Sequence, residues 1–478
     1  MNSFLVLEEK WAGVLLASST NQSCGRYRAM SLWMKTAMRG AMMLPLAGMA
    51  GLAAHAQDAS AVSAYVDSSY LFLIGGLIVM FMAAGFLCLE SGLVRSKNAS
   101  MQSLKNVALF SVAGLMFWLI GYNIAYPAST ALGGIIGIPG AIPWSGEESL
   151  DTGYAASSDW FFQMVFVATA ASIVSGTVAE RVKLWSFLIF VVFLTAFIYP
   201  TVVSWEWGGG YLDSAWGFSD FAGSTLVHST GGWAALVGAI IIGPRAGKYF
   251  GEKVNPMPGS NIPLAALGTF ILWFGWFGFN GASQLAAGTF DDINAVAKIF
   301  ANTNMAAVGG VLAAMILTAI LYKGKVDPTM AFNGAIGGLV SITAEPLAPT
   351  MGGAVAIGAI GGVLVVLTVP LLDKLKIDDV VGAIPAHLVC GIWGTLIVAA
   401  SYGNAFMPPA PDAEGAIGVS YVGQLVGIIL TGVVVSALSA IVWMVLKVTL
   451  GVRVSEEEEQ LGLDRADTGV EAYPEFAS

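Results

Sequence analysis

The sequence predicts an all-α membrane protein with eleven transmembrane helices. Three observations lead there: the composition, the length of the apolar runs and the distribution of the basic residues. Hydrophobic residues make up 56% of the 478 and charged residues 11%, where a soluble domain carries about 25%. The mean hydropathy is +0.75. Such a chain cannot cover a water-facing surface, so lipid is its outer solvent. The 58 glycines favour helices packed backbone to backbone, as is common in bilayers. The apolar runs are about twenty residues long, enough to cross ~30 Å of hydrocarbon as a helix. A transmembrane barrel would instead alternate over segments of about ten.

In chain order, residues 1–56 read as an extension and a cleavable signal peptide. Lys35 and Arg39 precede the short apolar run from Leu44 to Ala54, and Ala54-His55-Ala56 supplies a small-residue cleavage pattern. The expected cut is before Gln57, and Met30 or Met34 suits such a leader better as a start than Met1. Residues 57–450 form the transmembrane domain, with spans near 69–93, 105–126, 160–179, 184–204, 221–243, 262–281, 303–322, 328–346, 352–372, 380–401 and 421–447. They group as two inverted five-helix repeats, about 69–243 and 262–401, followed by a long eleventh helix. Residues 451–478 form a tail whose run Glu456-Glu457-Glu458-Glu459 reads, on composition, as a solvated acidic helix.

The basic residues orient these spans. Beyond the leader, Arg95, Lys97, Lys105, Arg181, Lys183, Arg245 and the other Lys and Arg fall in alternate loops or the tail, with only Lys298 on the opposite side. By the positive-inside rule the amino terminus lies outside and the tail in the cytoplasm, as an odd number of spans requires. Glu147, Glu148, Asp151, Asp159, Asp213, Asp291, Asp292 and Asp412 collect on the opposite face, a negative surface that favours cations.

Several function classes drop out. Cys24, Cys88 and Cys390 make no C-x-x-C pair, so no zinc site is implied. No phosphate-binding glycine loop, basic nucleic-acid patch or cofactor motif is present, and no enzymatic constellation emerges.

The histidines carry more. Once His55 leaves with the leader, His228 and His387 remain, both inside predicted spans. Ionisable side chains at membrane depth are costly and usually line an interior pathway. A packed histidine bound to a backbone carbonyl explains one such residue, but less readily the only two. Asp220 precedes His228 by eight residues and Gly232 follows by four; Asp379 precedes His387 by eight and Gly391 follows by four. One copy lies in the fifth span and one in the tenth, so they cross in opposite directions, as in inverted repeats with a midplane site. Eight helical residues rise about 12 Å, close to half the core, and both histidines therefore arrive near the centre. Two neutral imidazoles there form a polar rung that can bind a small uncharged molecule or relay a proton. They suit an alkali cation poorly, since it needs a cage of oxygens.

The run from Asp220 through His228 and Gly231-Gly232 to Arg245 resembles the signature of the ammonium transporter family (Amt/Mep/Rh). Gly275-Trp276-Phe277-Gly278-Phe279-Asn280, Trp207-Gly208-Gly209-Gly210 and Gly92-Leu93-Val94-Arg95-Ser96-Lys97-Asn98 resemble other stretches of it. The resemblance implies an external ammonium site at Trp207, Ser283, Phe166 and Asp220, a phenyl gate of Phe162, Phe166 and Phe279, and a pore lined by His228 and His387. It also implies a homotrimer in the cytoplasmic membrane and a regulatory tail that meets a PII-type protein in some members. Without it, Trp207 reads as an interfacial tryptophan and the phenylalanines as lipid-facing or core residues. Ser224 replaces a frequent glycine, and Glu90 stands where many bacterial members carry an uncharged residue. Rival readings are an ammonium sensor, a Rh-like gas channel and a membrane haem protein with two histidine ligands.

Overall fold

The computed structural model describes residues 26–138, 148–412 and 415–476, with side chains from Ala59 onward. The chain divides after Val62 into two units, and the second holds all of the helices below except the first residues of α1. The leader and its cleavage site lie outside the residues whose side chains are described. Eleven principal helices follow in order: α1 (Ala59–Leu93), α2 (Ser96–Ala125), α3 (Leu150–Thr177), α4 (Leu184–Ser204), α5 (Ser224–Ile242), α6 (Ile262–Gln284), α7 (Phe290–Leu321), α8 (Pro328–Thr343), α9 (Met351–Lys374), α10 (Ile384–Ser401) and α11 (Tyr421–Thr449).

Ten of these, among the described residues, are long and apolar enough to cross a membrane. The exception is α8, whose 16 residues rise about 24 Å, short of the ~30 Å core. It begins sharply because Pro328 occupies its first turn and the Asp327 carboxylate accepts the Thr329 and Met330 N–H groups. Several helices start earlier than expected, α1, α2 and α3 by about ten residues, and α7 most of all: it starts at Phe290 rather than near 303, because Thr289 and Asp292 form a reciprocal capping box there. Among the described residues the connections also hold two short antiparallel hairpins, Ser129–Ala131 with Ile136–Ile138 and Tyr249–Phe250 with Lys253–Val254. The fold is therefore mostly rather than wholly helical.

The two histidine-bearing helices, α5 and α10, run antiparallel and touch along their length. Beyond the end of α5, the Arg245 N–H reaches the Asp378 carboxylate just before α10 starts, at 2.8 Å. Toward the other end, the hydroxyls of Thr225 and Thr395 meet at 2.7 Å. Glycine permits this approach. A Cβ on Gly232 would lie 2.6 Å from Leu388 Cβ, and one on Gly391 would lie 2.3 Å from the Ser224 carbonyl. The glycine four residues after each histidine thus makes room for the partner helix.

The tail helix is docked rather than free: Glu456, Glu457, Gln460 and Leu461 are exposed, but Glu459 is buried. Ser455 and Glu458 cap a short helix, Glu456–Leu461, and its buried Glu459 accepts the Ala246 N–H at 2.6 Å and pairs with Arg453 at 2.6 Å. Lys97 donates to the Glu459 and Gln460 carbonyls, and the buried Asp464 carboxylate accepts the N–H groups of Ser100 and Met101 at the start of α2. A run of glutamates looks soluble on composition; here one of them, spaced to face the core, clamps the tail to two loops.

Candidate functional site

A cavity of about 270 Å³ is lined by Trp207, Ser283, Phe166, Phe162, Phe72, Tyr122, Tyr126, Tyr154 and Asp159, among others. Trp207 is held by its indole N–H, which donates to the Asp220 carbonyl at 2.9 Å, so its ring is fixed edge-on to Phe166 at 6.1 Å and 84°. Ser283 donates its own proton to the Phe279 carbonyl one turn back, at 2.7 Å. That leaves the hydroxyl's lone pairs free to accept from an N–H donor. An aromatic wall with a fixed acceptor suits a small cation. Asp220 stands behind the cavity rather than on it: it is fully buried, and its carboxylate accepts the N–H groups of Gly223, Ser224, Thr225 and Leu226 at 2.7–3.0 Å. Gly223, at φ +110°, gives the turn that aims these donors inward.

Phe166 closes the cavity floor and Phe279 lies against it on the side away from the cavity. Their rings stack at 4.0 Å and 29°, and Phe162 meets Phe166 edge-on at 4.8 Å. All three are at most 1% exposed, so any passage requires these rings to move. Next comes His228, 5.1 Å from the Phe279 ring and 5.0 Å from Trp276, centre to centre. His228 Nδ1 and His387 Nδ1 face each other at 3.2 Å, one donating and one accepting. His228 Nε2 is buried without a hydrogen-bond partner, a polar atom that can engage a passing molecule. Two imidazoles on opposite faces of a haem iron, each at a metal–nitrogen bond of about 2.0 Å, hold their nitrogens about 4 Å apart with the macrocycle between them, so this 3.2 Å contact does not fit a haem iron.

Both histidines sit on a π-helical turn, Ser224–Ser229 and Ile384–Val389. The wider turn carries each imidazole inward, and such bulges often mark functional sites. At the far end, Asp379 accepts the Gly382 and Ile384 N–H groups and the Thr177 hydroxyl and borders a second cavity, of about 190 Å³, with Arg245, Lys248, Asp373 and Asn333. Ion pairs frame this mouth: Arg245 binds Asp378 at 2.9 Å and Glu180 at 3.1 Å, and Arg95 binds Glu180 at 2.5 Å. Burial alone would push the Asp378 carboxyl up, but hydrogen bonds from Arg245 and the charges of Arg181 and Arg245 hold it well below the usual carboxylate range.

The order is then a cation-suited cavity, a phenyl floor, an imidazole pair and a charged mouth. The profile of the Ammonium Transporter Family matches residues 70–473. The chain belongs to the ammonium transporter family. It is 40% identical over 422 residues to ammonium transporter Amt2 of Archaeoglobus fulgidus, covering 84% of this chain and 87% of that one. It is 42% identical over 340 residues to a putative ammonium transporter of Synechocystis, covering 70% and 75%. Among solved structures, one described as "Sensor Amt Protein" matches with a TM-score of 0.76 and 34% identity, covering 84% of this chain and 98% of that chain. These relatives of the transporter family span nearly the whole membrane domain, so this chain is a multi-pass membrane protein.

Sequence reasoning missed four residues of the family member's site region. Asp159 was visible only as one of several acids on its face, yet it is buried in the cavity wall and accepts from Tyr122 and Gln163. Glu206, beside Trp207, accepts the Asp220 N–H at 2.7 Å. Glu180 and Asp378 tie the far mouth together. The adjacency Asp378-Asp379 was the available signal for the last, since one carboxylate serves the cap and the other the arginine.

Proposed function

We propose that this chain moves ammonium across the cytoplasmic membrane by stripping it of a proton and passing ammonia through the histidine pair. The observation that carries this reading is the Nδ1–Nδ1 contact of 3.2 Å beneath a closed phenyl floor. A cation at the bilayer centre costs roughly 2.5 kcal/mol or more; ammonia is neutral and avoids that cost. Ammonium is recruited over Trp207 and Phe166, donates to Ser283, and feels the negative potential of Asp220 behind the wall. Its proton leaves near the Phe162, Phe166 and Phe279 gate, ammonia hydrogen-bonds the rung at His228 and His387, and reprotonation follows at the Arg245 mouth. The released proton crosses through the histidines in parallel.

The finer organisation belongs to the same proposal. The chain crosses eleven times, α8 included, with its amino terminus outside after signal-peptide removal and its tail in the cytoplasm; the one-sided Lys and Arg distribution supports this. Likeness to the family supports a homotrimer with one pore per subunit, and a PII-type protein meeting the face where the tail docks.

The test is uptake of labelled methylammonium in cells stripped of their own ammonium transporters. Expression of this chain should restore it, and His228→Ala or His387→Ala should reduce it strongly; uptake unaffected by either substitution overturns the mechanism. The likeness to the "Sensor Amt Protein" favours sensing as the second reading, and it predicts ammonium binding without any uptake.

A further inference from the structure

Glu90, in α1, is 1% exposed and takes no part in the pathway above. One of its carboxylate oxygens is saturated: Oε2 accepts from Gln102, from Asn106 Nδ2 at 2.9 Å and from the Ser175 hydroxyl at 2.8 Å. The other, Oε1, is buried and has no partner. Lys105 donates to the Ser175 carbonyl at 2.8 Å and lies over the Phe187 ring at 5.1 Å. A carboxylate serving only as counter-charge to that ammonium gains nothing from leaving an oxygen bare, since a half-satisfied buried charge is costly. This cluster leaves one oxygen bare.

The bare oxygen belongs to a residue that lines a small cavity together with His387. That cavity, of about 10 Å³, is bordered by Glu90, His387, Ser172, Asn333 and Val381, which is about the room one water needs. Glu90, His387 and Asn333 offer that water several polar partners. Asn333 and Val381 also line the cavity at the Arg245 mouth, so the two spaces share a wall.

We propose that Glu90 is the proton acceptor on the exit side of the histidine pair. The inference rests on the reading that ammonium loses its proton and that the proton travels through His228 and His387. As the N–H bond of a protonated His387 breaks, one water hands the proton on and an O–H bond forms at Glu90 Oε1. The neutral acid then releases the proton past Asn333 to water in the mouth cavity and returns to carboxylate. The bonds from Gln102, Asn106 and Ser175 hold Oε2 fixed throughout, so Oε1 alone changes state.

The experiment measures currents from proteoliposomes on ammonium addition, with melting temperature recorded alongside. Glu90→Gln, which keeps the shape and removes the titratable oxygen, should cut the current by about tenfold or more with little change in half-saturation or melting temperature. Glu90→Asp should keep a measurable part of the current. Asn333→Leu, which closes the polar route between the two cavities, should also reduce it. Full current in Glu90→Gln overturns the proposal and leaves the histidine pathway standing. A current lost only together with melting temperature in Glu90→Gln, with Asn333→Leu at full current, overturns it too. Active methylammonium uptake by the unaltered protein without any current defeats the proton pathway itself, and Glu90 with it.

Discussion

The two Asp-x₇-His copies are alike in sequence and unequal in structure. Asp220 takes four backbone N–H groups and is sealed from both cavities. Asp379 takes fewer and opens onto the far mouth. The cause is one residue. Six positions after Asp220, Leu226 donates its N–H; six positions after Asp379 stands Pro385, which has none. The Thr177 hydroxyl fills part of the gap at 3.1 Å, and the Arg245–Asp378–Glu180 pairs supply the stiffness that the cap lacks. One cap is thus a closed structural lock that fixes Trp207 through its carbonyl, and the other is a part-open group at a wet, charged mouth. A repeat conserves the geometry that brings two histidines together while letting the two ends differ.

Substitutions that break this asymmetry are expected to rank by the number of buried donors they orphan. Asp220→Asn has the largest effect: an amide offers one acceptor oxygen where four N–H groups need two, and each orphaned donor costs about 1–3 kcal/mol. A loss of roughly 4 kcal/mol should appear as a large fall in melting temperature in detergent, with transport lost as Trp207 loosens. Asp378→Asn comes next, at about 3 kcal/mol, because it leaves Arg245 buried with half its partners. Its pH dependence has a definite sign. A carboxyl held low in the folded state adds stability that is complete above the ordinary carboxylate pKa of about 4 and is lost as pH falls below it. Melting temperature of the unaltered protein should therefore decline below about pH 4, and Asp378→Asn should flatten that decline. Asp379→Asn should cost about 1–2 kcal/mol, less than its counterpart. An equal loss for Asp220→Asn and Asp379→Asn would erase the distinction between the caps. Smallest is Ser283→Ala, which removes one acceptor from the recruiting cavity. It should raise the half-saturation for methylammonium by about fivefold, near 1 kcal/mol, without altering melting temperature.

Most of the helices of the membrane domain were readable from the length of the apolar runs, because twenty-residue apolar runs have one structural solution in lipid. The repeat spacing also led correctly to neighbouring histidines, since it encodes rise along a helix. What escaped depends on burial, which spacing does not carry. The Asp159 and Glu459 carboxylates look like surface charge in a sequence and are buried in the fold, and the half-buried Glu206 turns its carboxylate inward to the Asp220 N–H. The π-helical turns under both histidines leave no residue-type signal apart from Pro385, which only one of them has. The shortness of α8 also escaped: its residues are as apolar as those of the longer helices, and its 16-residue length goes with its packing among α7, α9 and the histidine helices.

The central claim is that the imidazole pair admits a species able to shed a proton and rejects a cation that cannot. Potassium flux into proteoliposomes measures this most directly, comparing the unaltered protein with His228→Asp and His387→Asp. The account predicts exclusion of potassium by the unaltered protein and a leak in either variant, as a carboxylate gives the cation a partner at the pore centre. Potassium exclusion kept by both folded, ammonium-active variants would contradict it.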